Sequence, residues 1–150
     1  MEIKEKLVPK MTLAAIEHRG AYNEIGEKFG RVCGWAGQNQ VPVKSVLGVY
    51  YDDPMSTPEA ELRSIAAVAV PESYEWNDPT IQKIEMPGGE VLSYVHKGSY
   101  EQLGQVWEEF WAAAEGKGRV LQMPCYEIYL NDCEEVGKEN ALTELCIPVK

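Results

Sequence analysis

The chain has 150 residues, 45% of them hydrophobic and 9% aromatic, which suits one compact domain with a real core and is too little for two large ones. With 24 acidic against 14 basic residues the net charge is −10, which excludes a plain nucleic-acid binder, because affinity for a phosphate backbone comes largely from neutralising it with Lys and Arg. The strongly apolar stretch at 65–70 is too short to cross a bilayer, and the start Met1-Glu2-Ile3-Lys4-Glu5-Lys6 lacks the basic-then-apolar order of a signal peptide, so the expected setting is the cytoplasm, away from membranes.

Taken in chain order, the pattern predicts a strand over 11–17 that ends in the turn His18-Arg19-Gly20. Tyr22, Ile25, Phe29, Val32 and Ala36 then recur three or four apart, the spacing of an amphipathic helix with one buried face. Strands are predicted over 46–51 and 62–70, and the stretch 72–79 is expected to link two halves, with Trp76 as a lid over their seam. The pattern then starts again. A strand over 90–96 precedes a helix marked by Tyr100, Leu103, Trp107, Phe110 and Ala114, with Ser99 and Gln102 as a predicted capping box and Gly116-Lys117-Gly118 as its end. Strands over 126–130 and 142–149 close the chain.

This recurrence is an internal repeat. Residues 16–26 return as 94–104, with His18 and His96 equivalent at 96 − 18 = 78, and Pro9/Pro87 and Phe29/Trp107 keep that offset. Tyr50-Tyr51-Asp52-Asp53 pairs with Tyr129-Leu130-Asn131-Asp132 at 129 − 50 = 79, and 68–70 with 147–149 at the same shift. The expected architecture is α+β: a single domain over 1–150 made of two β-α-β-β units, 1–75 and 76–150. They would form a joined antiparallel sheet, with the two main helices on one face and a ligand groove on the other.

Strand alternation nominates the groove residues, because successive side chains point to opposite sides. In Cys125-Tyr126-Glu127-Ile128-Tyr129-Leu130, the set Tyr126, Ile128 and Leu130 suits the helix-packed side, which leaves Glu127 and Tyr129 on the other. The matching positions in the first half are Gly48 and Tyr50, so the repeat keeps the tyrosine and sets a carboxylate against a glycine. Such a Glu among aromatics can hold a cationic ligand with help from the rings, serve as a general acid or base, or simply be solvated at a sheet surface. Trp76, Trp35 and Trp111 are the candidate aromatics at the edge of the groove, whereas Trp107 and Phe110 read as core. His18 and His96, each before a basic residue and a Gly, are expected to fix the strand-to-helix turn. Cys33, Cys125, Cys133 and Cys146 show no metal-ligand spacing, and nucleophile-elbow, phosphate-loop and dinucleotide motifs are absent, so neither metal nor cofactor is expected.

The motif His96-Lys97-Gly98-Ser99-Tyr100 with Leu103 and Trp107, the strand Tyr126-Glu127-Ile128-Tyr129 followed by Asn131-Asp132, and the closing strand Glu144-Leu145-Cys146-Ile147-Pro148-Val149 carry a resemblance to a known family. Over essentially the whole chain, the sequence resembles the gyrase-inhibitor-like (GyrI-like) small-molecule-binding domains, related to the effector-binding domains of AraC-type and multidrug-sensing MerR-type regulators. The resemblance implies a duplicated fold with a ligand groove, in which the glutamate matching Glu127 contacts hydrophobic ligands that are often cationic and aromatic. It also implies two alternatives: hydrolysis of reactive cyclopropane-containing compounds by that glutamate with a tyrosine hydroxyl such as Tyr129, or interaction with a protein such as DNA gyrase or a regulator. A DNA-binding helix-turn-helix segment is lacking, so the chain is not expected to regulate transcription alone.

Overall fold

The computed structural model describes residues 1–150. In chain order the strands are β1 (Lys4–Val8), β2 (Met11–Arg19), β3 (Ser45–Tyr50), β4 (Arg63–Val70), β5 (Gln82–Met86), β6 (Gly89–Lys97), β7 (Cys125–Tyr129) and β8 (Leu142–Pro148). The helices are α1 (Gly26–Gln38), α2 (Leu103–Glu115) and the single turn α3 (Cys133–Val136). The fold is α+β with antiparallel strands, and it divides into two compact units, residues 9–88 and residues 1–8 with 89–150.

In the 9–88 unit the strand order is β3-β4-β2-β5, with β2 the central partner of both β4 (Ala15↔Ala67) and β5 (Leu13↔Ile84). Alternate residues Ala14 and Ile16 of β2 and Ala66 and Val68 of β4 form one core with Val32 and Ala36 of α1. Alanines at this face let the helix approach closely, and Val32, fully buried, fills the space they leave. Leu13, Ala15 and Ala67, which alternate with that set, are equally buried, and this explains why β2 and β4 read as nearly continuous apolar runs rather than as a polar-apolar alternation.

The unit of residues 1–8 and 89–150 has the order β1-β6-β8-β7. Its helix α2 rests on the sheet through fully buried Phe110, whose ring lies 6.1 Å from Tyr94 of β6 and 5.7 Å from Trp107 on the helix itself. The predicted helices both form, each introduced by a short 3-10 turn, Tyr22–Glu24 and Tyr100–Gln102. The capping box does not: the Ser99 side chain makes no cap hydrogen bond, and the turn is closed instead by the Gln102 N–H on the Ser99 carbonyl. The reason is the 3-10 turn itself, which moves the start of α2 to Leu103 and leaves Ser99 outside its reach.

Strands β1 and β5 lie outside the predicted set. Each ends the strand order of its unit, where one side of the backbone ladder has no strand neighbour within the unit, and each is short with charged side chains. Such strands lack the apolar alternation that marks a half-buried one.

Candidate functional site

Glu127 sits in the middle of β7, which pairs with β8 through Glu127↔Leu145 and Tyr129↔Thr143. Its residue exposure is only 5%. One carboxylate oxygen accepts a 2.5 Å hydrogen bond from Trp107 Nε1 on α2, and the other accepts a 2.7 Å bond from the Tyr129 hydroxyl two residues along the strand. Indole N–H can only donate, so burying Trp107 against the sheet requires an acceptor, and a carboxylate is the strongest available.

This contact corrects the strand-face assignment. Glu127 and Tyr129 point toward α2, and Tyr126 and Ile128 point to the opposite side, where Tyr126 is 2% exposed with its hydroxyl at the Cys146 thiol. Leu130, expected among the packed residues, follows the end of β7 and is exposed. Because both sides of β7 are buried, hydrophobicity alone selects the wrong side.

Above Tyr129, the Tyr100 ring packs edge-on with centroids 5.5 Å apart. Burial, together with the adjoining Cys133, Asp132 and Glu127, pushes the Tyr100 hydroxyl up to about 12, so it stays protonated at neutral pH and serves as a hydrogen-bonding group to Cys133. Trp107, Glu127, Tyr129 and Tyr100 thus form one continuous cluster of three aromatic rings around a buried carboxylate. Of these, the sequence nominated Glu127 and Tyr129; Trp107 read as core. The signal that could have found Trp107 and Tyr100 was the repeat, since both stand one offset from aromatic residues, 107 − 29 = 78 and 100 − 22 = 78.

Gly48 and Tyr50 occupy the matching positions on β3 of the other unit. They also face their helix: a Cβ at Gly48 would stand 3.1 Å from Phe29 Cζ of α1 and 2.7 Å from the Tyr50 hydroxyl. Tyr50 packs edge-on with Tyr22 at 4.9 Å, repeating the Tyr129–Tyr100 pair. Trp35 and Trp76 come together in this unit, 5.7 Å apart, with Tyr74 beside Trp76 and the Trp76 N–H donated to the Ile81 carbonyl at 2.9 Å. Both tryptophans flank the core of the 9–88 unit. Trp111 is half-buried on α2, one helical turn beyond Trp107.

The histidines behave as turn residues. His18 Nε2 bonds the Ala21 carbonyl at 2.8 Å, tying the end of β2 to the start of the 3-10 turn. His96 lies against Gly98, whose φ of +145° favours glycine and where an added Cβ would come within 3.0 Å of His96 Nε2.

Comparison with known proteins places this geometry in context. The model of a GyrI-like small molecule binding domain matches residues 1–150. A DNA gyrase inhibitor of Citrobacter koseri is 24% identical over 155 residues, covering 100% of this chain and 99% of that protein. Among solved structures, the EcmrR C-terminal domain superposes with a TM-score of 0.82 at 17% identity, covering 99% of this chain and 97% of its own. SAV2435 bound to tetraphenylphosphonium superposes with a TM-score of 0.71 at 16% identity, covering 100% and 94% respectively.

Proposed function

Because the chain belongs to the GyrI-like small-molecule-binding domain family, we propose that it binds hydrophobic, cationic aromatic compounds at Glu127, sequestering or sensing them. The observation that carries this reading is the 5%-exposed carboxylate held by two neutral donors, Trp107 and Tyr129. Trp107 and Tyr129 are neutral donors, which orient a carboxylate toward a cation in a poorly solvated setting, and the faces of the neighbouring aromatic rings add cation–π attraction. The structural relative SAV2435, bound to a phosphonium cation, supports the ligand class. Trp111 joins the proposed ligand-binding residues within this unit, and Tyr50, Gly48, Trp76 and Trp35 are a second proposed group within the 9–88 unit.

The test is a fluorescence titration with tetraphenylphosphonium and, as neutral counterpart, triphenylphosphine oxide. Glu127→Gln should weaken the cation by about ten- to a hundred-fold, the equivalent of roughly 1.5–3 kcal/mol for a charged partner, and leave the neutral compound nearly unchanged. Equal loss for both compounds would remove Glu127 as the charge partner.

A second reading rests on the 2.7 Å Tyr129–Glu127 hydrogen bond, which sets a proton donor beside a base. In it Glu127 takes a proton from water, the hydroxide attacks an electrophilic cyclopropane carbon, the ring C–C bond breaks, Tyr129 protonates the departing carbon, and Glu127 returns its proton to the Tyr129 oxygen across their hydrogen bond. Mass analysis after the titration distinguishes the two: a product heavier by one water, lost in Glu127→Gln, makes the protein a hydrolase.

A further inference from the structure

A second buried carboxylate lies on the sheet face turned away from α2, in the same unit as Glu127 but on the other side of the strands. The register Lys6↔Val91, Lys4↔Ser93 and Val95↔Glu144 puts Lys4 and Lys6 of β1, Ser93 and Val95 of β6 and Glu144 of β8 on that face. Glu144 is 7% exposed. A single oxygen, Oε2, accepts a 2.5 Å hydrogen bond from Ser93 Oγ, itself buried, and lies 2.5 Å from Lys6 Nζ. Tyr126 and Cys146 wall the other side, and burial followed by the Glu144 charge pushes the Cys146 thiol up to about 12.

The two members of the ion pair are built differently. Glu144 and Ser93 sit on inner strands with fixed surroundings, whereas Lys6 reaches them from the outermost strand of the unit, and its side chain is 44% exposed. Beside them opens a cavity of about 290 Å³ lined by Glu2, Lys4, Ser93, Tyr94 and Val95. A preformed carboxylate-hydroxyl cradle, an adjoining cavity and a cation delivered on a flexible tether are the parts of a binding site with an internal occupant.

We propose that Glu144 and Ser93 form a cation site for a primary alkylammonium group, occupied in the free protein by the Lys6 side chain. A primary ammonium carries three N–H donors on a small head, so it can reproduce the Lys6 contact to Oε2 with a donor to spare for Ser93 Oγ. A quaternary ammonium has no N–H and is too wide to seat on one oxygen. An alkylammonium that enters through the cavity displaces Lys6, and since Lys6 is the side-chain tie between β1 and the buried cluster, displacement loosens β1 from β6.

The experiment uses the full chain. Lys6→Ala should lower the melting temperature, and ethylammonium chloride should restore most of the loss, whereas tetramethylammonium chloride at equal ionic strength should not. In Lys6→Ala/Glu144→Gln the ethylammonium response should vanish. A response identical for the two salts, or one that survives the Glu144→Gln change, would overturn the proposal. Should Lys6→Ala fail to fold, the wild-type chain gives the answer by hydrogen exchange: ethylammonium should speed exchange of the residue 4–8 amides several-fold relative to tetramethylammonium, and equal rates in the two salts would overturn it.

Discussion

In the unit of residues 1–8 and 89–150, Trp107 faces Glu127; in the 9–88 unit, Phe29 faces Gly48. The tyrosine pairs behind them, Tyr129 with Tyr100 and Tyr50 with Tyr22, keep the same edge-on packing, so the local scaffold is shared and the contrast at this place lies in one facing pair. That difference is coupled. A carboxylate under a helix needs a donor on that helix, which Trp supplies and Phe cannot; conversely, a Phe ring set close over the strand, with a tyrosine hydroxyl beside it, leaves room only for glycine. The two halves therefore differ by a matched pair of residues, and exchanging either partner alone should be unfavourable.

The strongest way to break the comparison is to write one half into the other. Gly48→Glu places a Cβ 2.7 Å from the Tyr50 hydroxyl and a carboxylate under Phe29, and should cost about 3 kcal/mol or more in a denaturant titration. Adding Phe29→Trp should recover part of that loss, because the two positions are in contact and their effects do not add. The reverse change, Trp107→Phe, removes the indole donor from a buried carboxylate and should destabilise by about 1.5–3 kcal/mol, whereas Tyr129→Phe, which leaves the Trp107 bond in place, should cost about 1–2 kcal/mol in the same assay.

The smallest effect sharpens the comparison at the corner after β3 and β7. Asp52 Oδ2 accepts the Arg63 N–H at 2.8 Å, and Asn131 Oδ1 accepts the Leu142 N–H at 2.9 Å, each eleven residues on. Of the two acceptors only Asp52 is charged: the hydrogen bond from the Arg63 side chain, with Arg63's positive charge, holds the Asp52 carboxyl below its ordinary value of 3.8. A lowered folded pKa contributes stability that is present above that ordinary value and lost as pH falls through the folded one. The protection factor at the β3–β4 corner, which is the exchange rate corrected for the intrinsic rate at each pH, should consequently fall on acidification from about pH 5 toward pH 2. Protection at the β7–β8 corner should change less, and Asp52→Asn should make the two corners alike.

The sequence by itself determined the repeat, its 78–79-residue offset, both main helices and six of the strands, because 3.6-residue and two-residue periodicities report directly on which side chains must be buried together. It also isolated Glu127 against Gly48, since a repeat turns a single position into a comparison. What it could not decide was direction. Alternation separates Glu127 and Tyr129 from Tyr126 and Ile128, but with Tyr126 at 2% and Glu127 at 5% exposure both sets are buried, and only the tertiary structure shows which one meets α2. The same holds for β1, whose Lys6 looks like a solvated charge in the sequence and becomes the partner of buried Glu144 through pairing with β6, a contact between residues more than a hundred positions apart. Local patterns record how much of a side chain is buried; which groups it meets there depends on strand pairings that no local window contains.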